Sequence, residues 1–334
     1  MLSSRLVPSA FSFSFCLAVV IGCNSPSVNI SPDKTSGASI VVSGYDPQTV
    51  RRMALASAAT YLIDQPGGAK SSADYALIGI KDEISTVVSE EINAALVGAT
   101  ATEIIVAFRG TLPISHDFDE QLDCVFDWAN DADLKLVSDE SISPGRVHQG
   151  FRDAMHSLWD DVLRAVQKRR QTSKLPVIVT GHSKGGALAR LAALRLQREK
   201  IEVAGVYTFG APRTGDIDFA EDYAKRILLD IRFEYQNDIV PHIPPSKEKT
   251  AALLSQRNSD LPFIAHAEYQ HVGRLQFYDW DGKFQEDSPE TRAKRAEEFD
   301  KAFVELHFKR IASDHSLVNA YITSLKNLAS DKSR

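Results

Sequence analysis

The sequence predicts an α/β fold, with a mostly parallel central sheet and helices on both faces. Three observations carry the prediction. Short runs rich in Val, Ile and Phe alternate with stretches whose apolar residues recur at helical spacing, the order expected of parallel strands joined by crossover helices. The run at 175–180, with Pro-Val-Ile-Val in its middle, reads as a strand buried on both faces. The chain has 334 residues, 43% of them hydrophobic, with charges of both signs, which is enough to build one large core.

The elements follow in order. Residues 46–65 read as a helix with Val50, Met53, Ala54, Ala58, Tyr61 and Leu62 on one side. Residues 94–97 and 103–108 read as two strands joined by a short polar turn, the second ending at Arg109-Gly110-Thr111. A helix over 148–167 places Phe151, Met155, Leu158, Val162 and Val166 at helical spacing. The strand at 175–180 leads into a helix at 185–198, then a strand at 203–209, a helix at 221–229 and a strand at 231–235. A long terminal helix is expected over 290–311, with Phe299, Phe303 and Leu306 facing inward. The chain shows no internal repeat.

The first residues are of another kind. Arg5 precedes an apolar core at 11–21, too short to span a bilayer and the right length for a secretory signal. It runs into Val20-Ile21-Gly22-Cys23, which resembles the lipobox of bacterial lipoproteins. That resemblance implies cleavage before Cys23, lipidation of Cys23, and a protein exported to the bacterial cell envelope and anchored in a membrane by its N-terminus. The expected division is a signal at 1–22, a flexible Ser/Pro/Gly-rich tether at 23–45 and one catalytic-type domain at 46–334. With Cys16 in the signal and Cys23 lipidated, Cys124 is left without a partner for an internal disulfide. The formal charge is −6 with the two signs interspersed, so no basic face points to nucleic acid.

The chemistry centres on Gly181-His182-Ser183-Lys184-Gly185, a G-x-S-x-G placed after a strand and opening a helix. In the α/β-hydrolase fold this arrangement is the nucleophile elbow, whose sharp turn leaves no room for side chains at the flanking positions. A serine nucleophile needs a base, and the base an orienting acid. On this fold the chain order is Ser, acid, His. Asp238 stands where a strand has just ended and is the favoured acid, with Asp216 and Asp230 as rivals. Of His242, His266, His271, His307 and His315, the loop residue His315 is the favoured base and His271 the alternative. His242 is too close to Asp238, and His307 lies within the terminal helix. Donors for a developing oxyanion are expected from the Lys184 N–H and from Thr111, which offers both an N–H and a hydroxyl. No spacing of His and carboxylates suggests a metal, and the chemistry calls for no cofactor.

Beyond the elbow, VAFRGT, DWANDADL, HQGF, GHSKGGALA, YTFGAPRTGD and NDIVPHIPP occur in this order. Together they resemble the class 3 lipases, the fungal-lipase-like branch of the α/β-hydrolases, from about residue 46 to 321. The resemblance implies Ser183, Asp238 and His315 as a catalytic triad, Thr111 and Lys184 at the oxyanion hole, and Trp128 and Asp131 as the family's Trp and Asp after a lid. It sets His271 in a non-catalytic segment. Two departures stand out. The interval from Asp238 to His315 is long, with a highly charged insertion over 277–296. Where the family often has an aromatic three residues after the histidine, this chain has Val318, with Tyr321 nearby.

Residues 112–127 hold Ile114, Phe118, Leu122, Val125 and Phe126 at helical spacing, opposite an acidic face. Two readings follow: a lid that exposes its apolar underside to lipid when open, as the resemblance implies, or a fixed surface helix. The expected function is hydrolysis of carboxylic esters, most directly acylglycerol lipids. The alternatives are an esterase for small or polysaccharide-linked esters and a non-catalytic, lipid-anchored binding protein.

Overall fold

The computed structural model describes residues 45–64, 72–81, 83–90, 92–112, 135–244, 268–304 and 313–325. The segments expected as signal and tether, with Cys23, nearly all of the 112–127 segment, Trp128, Asp131, His266, His307 and the side chains of Phe299, Phe303 and Leu306 lie outside the described residues.

The first helix, α1 (Pro47–Ala59), begins where the Asp46 carboxylate accepts the N–H groups of Gln48 and Thr49 at 3.2 and 2.9 Å. Pro47 fits the first turn because that position needs no donor. The helix stops short of the expected end and tightens into a 3₁₀ turn, Thr60–Leu62. The Arg109 guanidinium accounts for the stop, since its Nη1 donates to the Ile63 carbonyl at 3.1 Å and holds the chain beyond the turn.

Three strands follow: β1 (Ser85–Ser89), β2 (Asn93–Ala99) and β3 (Ile104–Phe108). After β4 (Leu136–Asp139) and β5 (Ser143–His148) comes α2 (Gln149–Arg170), capped by His148 and carrying Lys168, Arg169 and Arg170 against the negative end of its dipole. Then come β6 (Val177–His182), α3 (Lys184–Arg198), β7 (Val203–Phe209) and β8 (Gly215–Asp216). The next helix, α4 (Ile217–Arg226), starts and ends earlier than the sequence suggests. Asp216 caps it by accepting the Phe219 N–H at 2.9 Å and is held by Arg146, so this rival acid has a structural task.

The chain continues through β9 (Asp230–Tyr235), β10 (Tyr269–Gln270), β11 (Arg274–Tyr278), β12 (Phe284–Glu286) and α5 (Pro289–Val304). The main sheet has the order β1-β2-β3-β6-β7-β9-β11-β12. Pairing is parallel from β3 through β11 and antiparallel at both edges. A smaller sheet has the order β10-β8-β5-β4. The charged insertion is thereby explained. It continues from the end of β11, folds back as the edge strand β12, and sends Arg295 of α5 to Glu234 at 2.6 Å.

Period-two alternation divides the core between two faces. Ile104, Val106 and Phe108 of β3 face one side, with Leu158 and Val162 of α2 and Leu188 and Leu191 of α3. Ile105 and Ala107 face the other, with Val50 and Met53 of α1 and with Leu317 and Tyr321. No described helix is long and apolar enough to cross a membrane.

A buried ion pair ties α3 to the sheet. Arg190 Nε donates to Asp230 Oδ2 at 3.1 Å, with both side chains enclosed. The same guanidinium reaches the Pro212 and Val272 carbonyls and the Thr208 hydroxyl, and Tyr223 donates to the same Asp230 oxygen. Asp230 therefore belongs to the frame. Removing one partner leaves the other charge buried without compensation. Arg190→Met is expected to lose about 3 kcal/mol or more of stability by that route, read as a lower urea midpoint at unchanged slope.

Candidate active site

At the end of β6 the backbone turns at Ser183 with φ 56° and ψ −134°, and α3 begins at the next residue. A non-glycine residue at positive φ is held there by its surroundings, at a cost of order 1–3 kcal/mol. The flanking glycines are sterically required. A Cβ at Gly181 would lie 2.1 Å from the Gly185 carbonyl oxygen, and one at Gly185 would lie 2.2 Å from the Phe108 carbonyl oxygen. Strand, turn, helix and the neighbouring strand end thus meet through bare backbone. The Ser183 N–H donates to the Phe209 carbonyl at 3.0 Å, and the Ser183 carbonyl accepts the Gly186 N–H at 2.9 Å. The positive end of α3 lies directly behind the serine.

Asp238 sits in the turn after β9 and is 2% exposed. Its Oδ1 accepts the Val240 N–H at 2.9 Å, and both carboxylate oxygens lie 2.9 Å from His315 Nδ1. A carboxylate accepts, so Nδ1 carries the proton and Nε2 is the ring nitrogen left to act as a base. The Tyr321 hydroxyl donates to Oδ2. Burial, and then the Asp238 charge, push the Tyr321 pKa well above its usual value and keep it a donor. Gly210 has φ +55°, and a Cβ there would lie 2.6 Å from Asp238 Oδ2. The His315 ring stacks on His182 with centroids 4.6 Å apart and planes inclined at 29°. The structure so brings Asp238 and His315 together, with His315 resting on the residue that precedes Ser183.

Of the other candidates, His271 is buried and hydrogen-bonds the Pro241 carbonyl through Nε2 at 2.6 Å. Burial, followed by Arg232 and other nearby guanidinium groups, lowers its pKa well below the usual value. His242 lies in the short 3₁₀ turn Val240–His242 just after Asp238. Sequence reading passed over two partners. Tyr321 bonds the acid, and its only signal was an aromatic displaced from the expected position. His182 touches His315 and carried no signal beyond its place in the elbow.

The candidate oxyanion donors flank the serine. Phe108 pairs with Gly181 in parallel register, so the Arg109-Gly110-Thr111 turn leaves its strand beside the elbow. A Cβ at Gly110 would lie 3.1 Å from the Ser183 Cβ. Thr111 follows, half-buried, and Lys184 supplies the first N–H of α3. The Lys184 ammonium runs back under β2 and donates to Asn93 Oδ1 at 3.0 Å. Burial first, and the Arg109 charge second, lower its pKa to about 8. An unfolded lysine titrates higher, so folding carries an electrostatic cost below about pH 8 that fades as pH rises toward the unfolded value. Lys184→Met should therefore compare most favourably with the wild type in thermal unfolding at neutral pH. Its relative standing should fall as pH is raised through about 8 to 10.

Residues 105–248 match the family model described as lipase (class 3). The lipase of Rhizomucor miehei is 32% identical over 154 residues, covering 45% of this chain and 39% of that protein. A secreted mono- and diacylglycerol lipase of Fusarium solani is 27% identical over 144 residues, covering 43% of this chain and 40% of that protein. The chain thus spans about two fifths of the length of these curated relatives. Among solved structures, the Rhizomucor miehei lipase propeptide complex superposes with a TM-score of 0.53 at 26% identity, covering 71% of this chain and 69% of that chain. The architecture is the α/β-hydrolase fold, and residues 105–248 are similar to the class 3 lipases.

Proposed function

We propose that the protein is a serine hydrolase that cleaves carboxylic esters, acylglycerols foremost. The observation that carries this reading is the 2.9 Å pairing of His315 Nδ1 with both oxygens of a buried carboxylate, beside a serine held at positive φ. In the proposed reaction His315 Nε2 takes the Ser183 proton as the serine oxygen attacks the ester carbonyl. Asp238 holds the imidazole in its Nδ1–H form and stabilises the imidazolium. The N–H groups of Lys184 and Thr111 receive the oxyanion. The alcohol leaves with the proton from His315, and a water activated by the same ring releases the acyl group and restores the serine. The scheme draws on no cofactor.

Acylglycerols are placed first because the similar Fusarium solani protein is a mono- and diacylglycerol lipase. We further propose export with a lipid anchor at Cys23, on the apolar run ending in Val20-Ile21-Gly22-Cys23. Membrane attachment would bring such an enzyme to lipid substrates.

Hydrolysis of p-nitrophenyl butyrate and emulsified tributyrin by the mature chain tests the reading. Ser183→Ala and His315→Ala are each expected to lower kcat by about a thousandfold or more. An active Ser183→Ala variant would sink the nucleophile assignment. Cleavage of the soluble ester alone would favour an esterase for small substrates.

A further inference from the structure

Two hydrogen bonds run head to tail behind Ser183, starting from a Tyr61 hydroxyl that packs against the Gly110 backbone. That oxygen lies 2.8 Å from His182 Nδ1, and His182 Nε2 lies 2.9 Å from the His315 carbonyl oxygen. The end groups set the direction. A carbonyl only accepts, so His182 Nε2 carries a proton. The His182 ring is enclosed, and burial, with the adjacent His315 imidazole second, lowers its pKa well below the usual value. A neutral imidazole has one N–H, so Nδ1 presents a lone pair and the Tyr61 O–H donates to it. Burial also raises the Tyr61 pKa, which keeps that proton in place. A Cβ at Gly110 would lie 2.1 Å from the Tyr61 oxygen, so the approach depends on glycine.

The chain of bonds and its packing against Gly110 connect parts that are remote in sequence. Gly110 belongs to the turn that carries Thr111, and Tyr61 to the 3₁₀ turn after α1. His182 ends β6, and His315 comes from the C-terminal segment. That segment is tied from one side by Asp314, whose carboxylate accepts the Asn237 N–H at 3.1 Å next to Asp238. His182 ties it from the serine side, through the main chain and through the stacked ring.

We propose that Tyr61 and His182 are positioning residues that couple the oxyanion turn to the general base, so that the groups on either side of Ser183 keep one fixed geometry. The proposal rests on the ester-hydrolase reading for its kinetic meaning. The hydrogen bonds can be tested without it.

The experiment combines imidazole ¹⁵N NMR of the full chain with kinetics on p-nitrophenyl butyrate, for wild type, Tyr61→Phe, His182→Leu and His182→Gln. His182 should appear as the neutral Nε2–H form from neutral pH to about pH 9. His182→Leu should lose roughly 10- to 100-fold in kcat/KM, mainly through kcat. His182→Gln, whose amide nitrogen reaches the same carbonyl, should recover most of that loss. Tyr61→Phe should fall in between. An Nδ1–H tautomer, titration within that range, a wild-type kcat in His182→Leu, or equal losses in the Leu and Gln variants would each overturn the proposal. If the wild type cleaves no ester, the hydrolase reading fails and the NMR decides alone. The His315 Nδ1 proton shared with Asp238 should then persist in wild type and His182→Gln and disappear in His182→Leu. Its persistence in His182→Leu would refute the coupling.

Discussion

The rest of the site hangs on one backbone crossing, where the end of β6 turns into α3 at Ser183 against the end of β3. Three pieces of main chain come within van der Waals reach there, which is why Gly181 and Gly185 carry no side chains and why Ser183 is forced to positive φ. Such a residue persists only where its surroundings over-determine it. Here the surroundings are the Ser183 N–H bond to Phe209, the buried parallel pairing of β3, β6 and β7, and the first turn of α3. The strain is local, and the sheet holds it.

From that crossing the polar groups are arranged in layers. Asp238 is surrounded by three donors: Val240 in its own turn, and His315 and Tyr321 from the C-terminal segment. A carboxylate so supplied remains an acceptor and fixes the imidazole tautomer. Gly210 clears the space the carboxylate needs, as Gly110 does for Tyr61. Elsewhere, Arg190 and Asp230 bind α3 to the sheet, Asp216 caps α4, and His271 bonds the Pro241 carbonyl. The insertion between Asp238 and His315 extends the sheet at its edge by β12.

The legibility of these parts differs with their physics. The strand before the elbow, the helix after it, and the division of β3 into two faces all follow from local periodicity, and the structure shows them near their expected bounds. The errors fall at ends and edges. Helix α1 stopped early because Arg109, forty-six residues on, captured the Ile63 carbonyl. Helix α4 began early because Asp216 served as its cap. The short edge strand β12 lies in a charged stretch whose composition hides it, since an edge strand is half solvated and gains its order from pairing.

By itself, the sequence determined the α/β architecture, the elbow and its glycines, and the small set of acids and histidines from which partners for Ser183 had to come. These are properties of short segments, set by side-chain period and by steric exclusion at single positions. Which acid meets which histidine was decided only by the tertiary structure, which pairs Asp238 with His315 across a long interval and gives Asp216, Asp230 and His271 other work. The Tyr61–His182–His315 chain of bonds, packed against Gly110, was likewise invisible beforehand. Hydrogen bonds between remote segments leave no local pattern, because their geometry exists only once the sheet has brought the strand ends together.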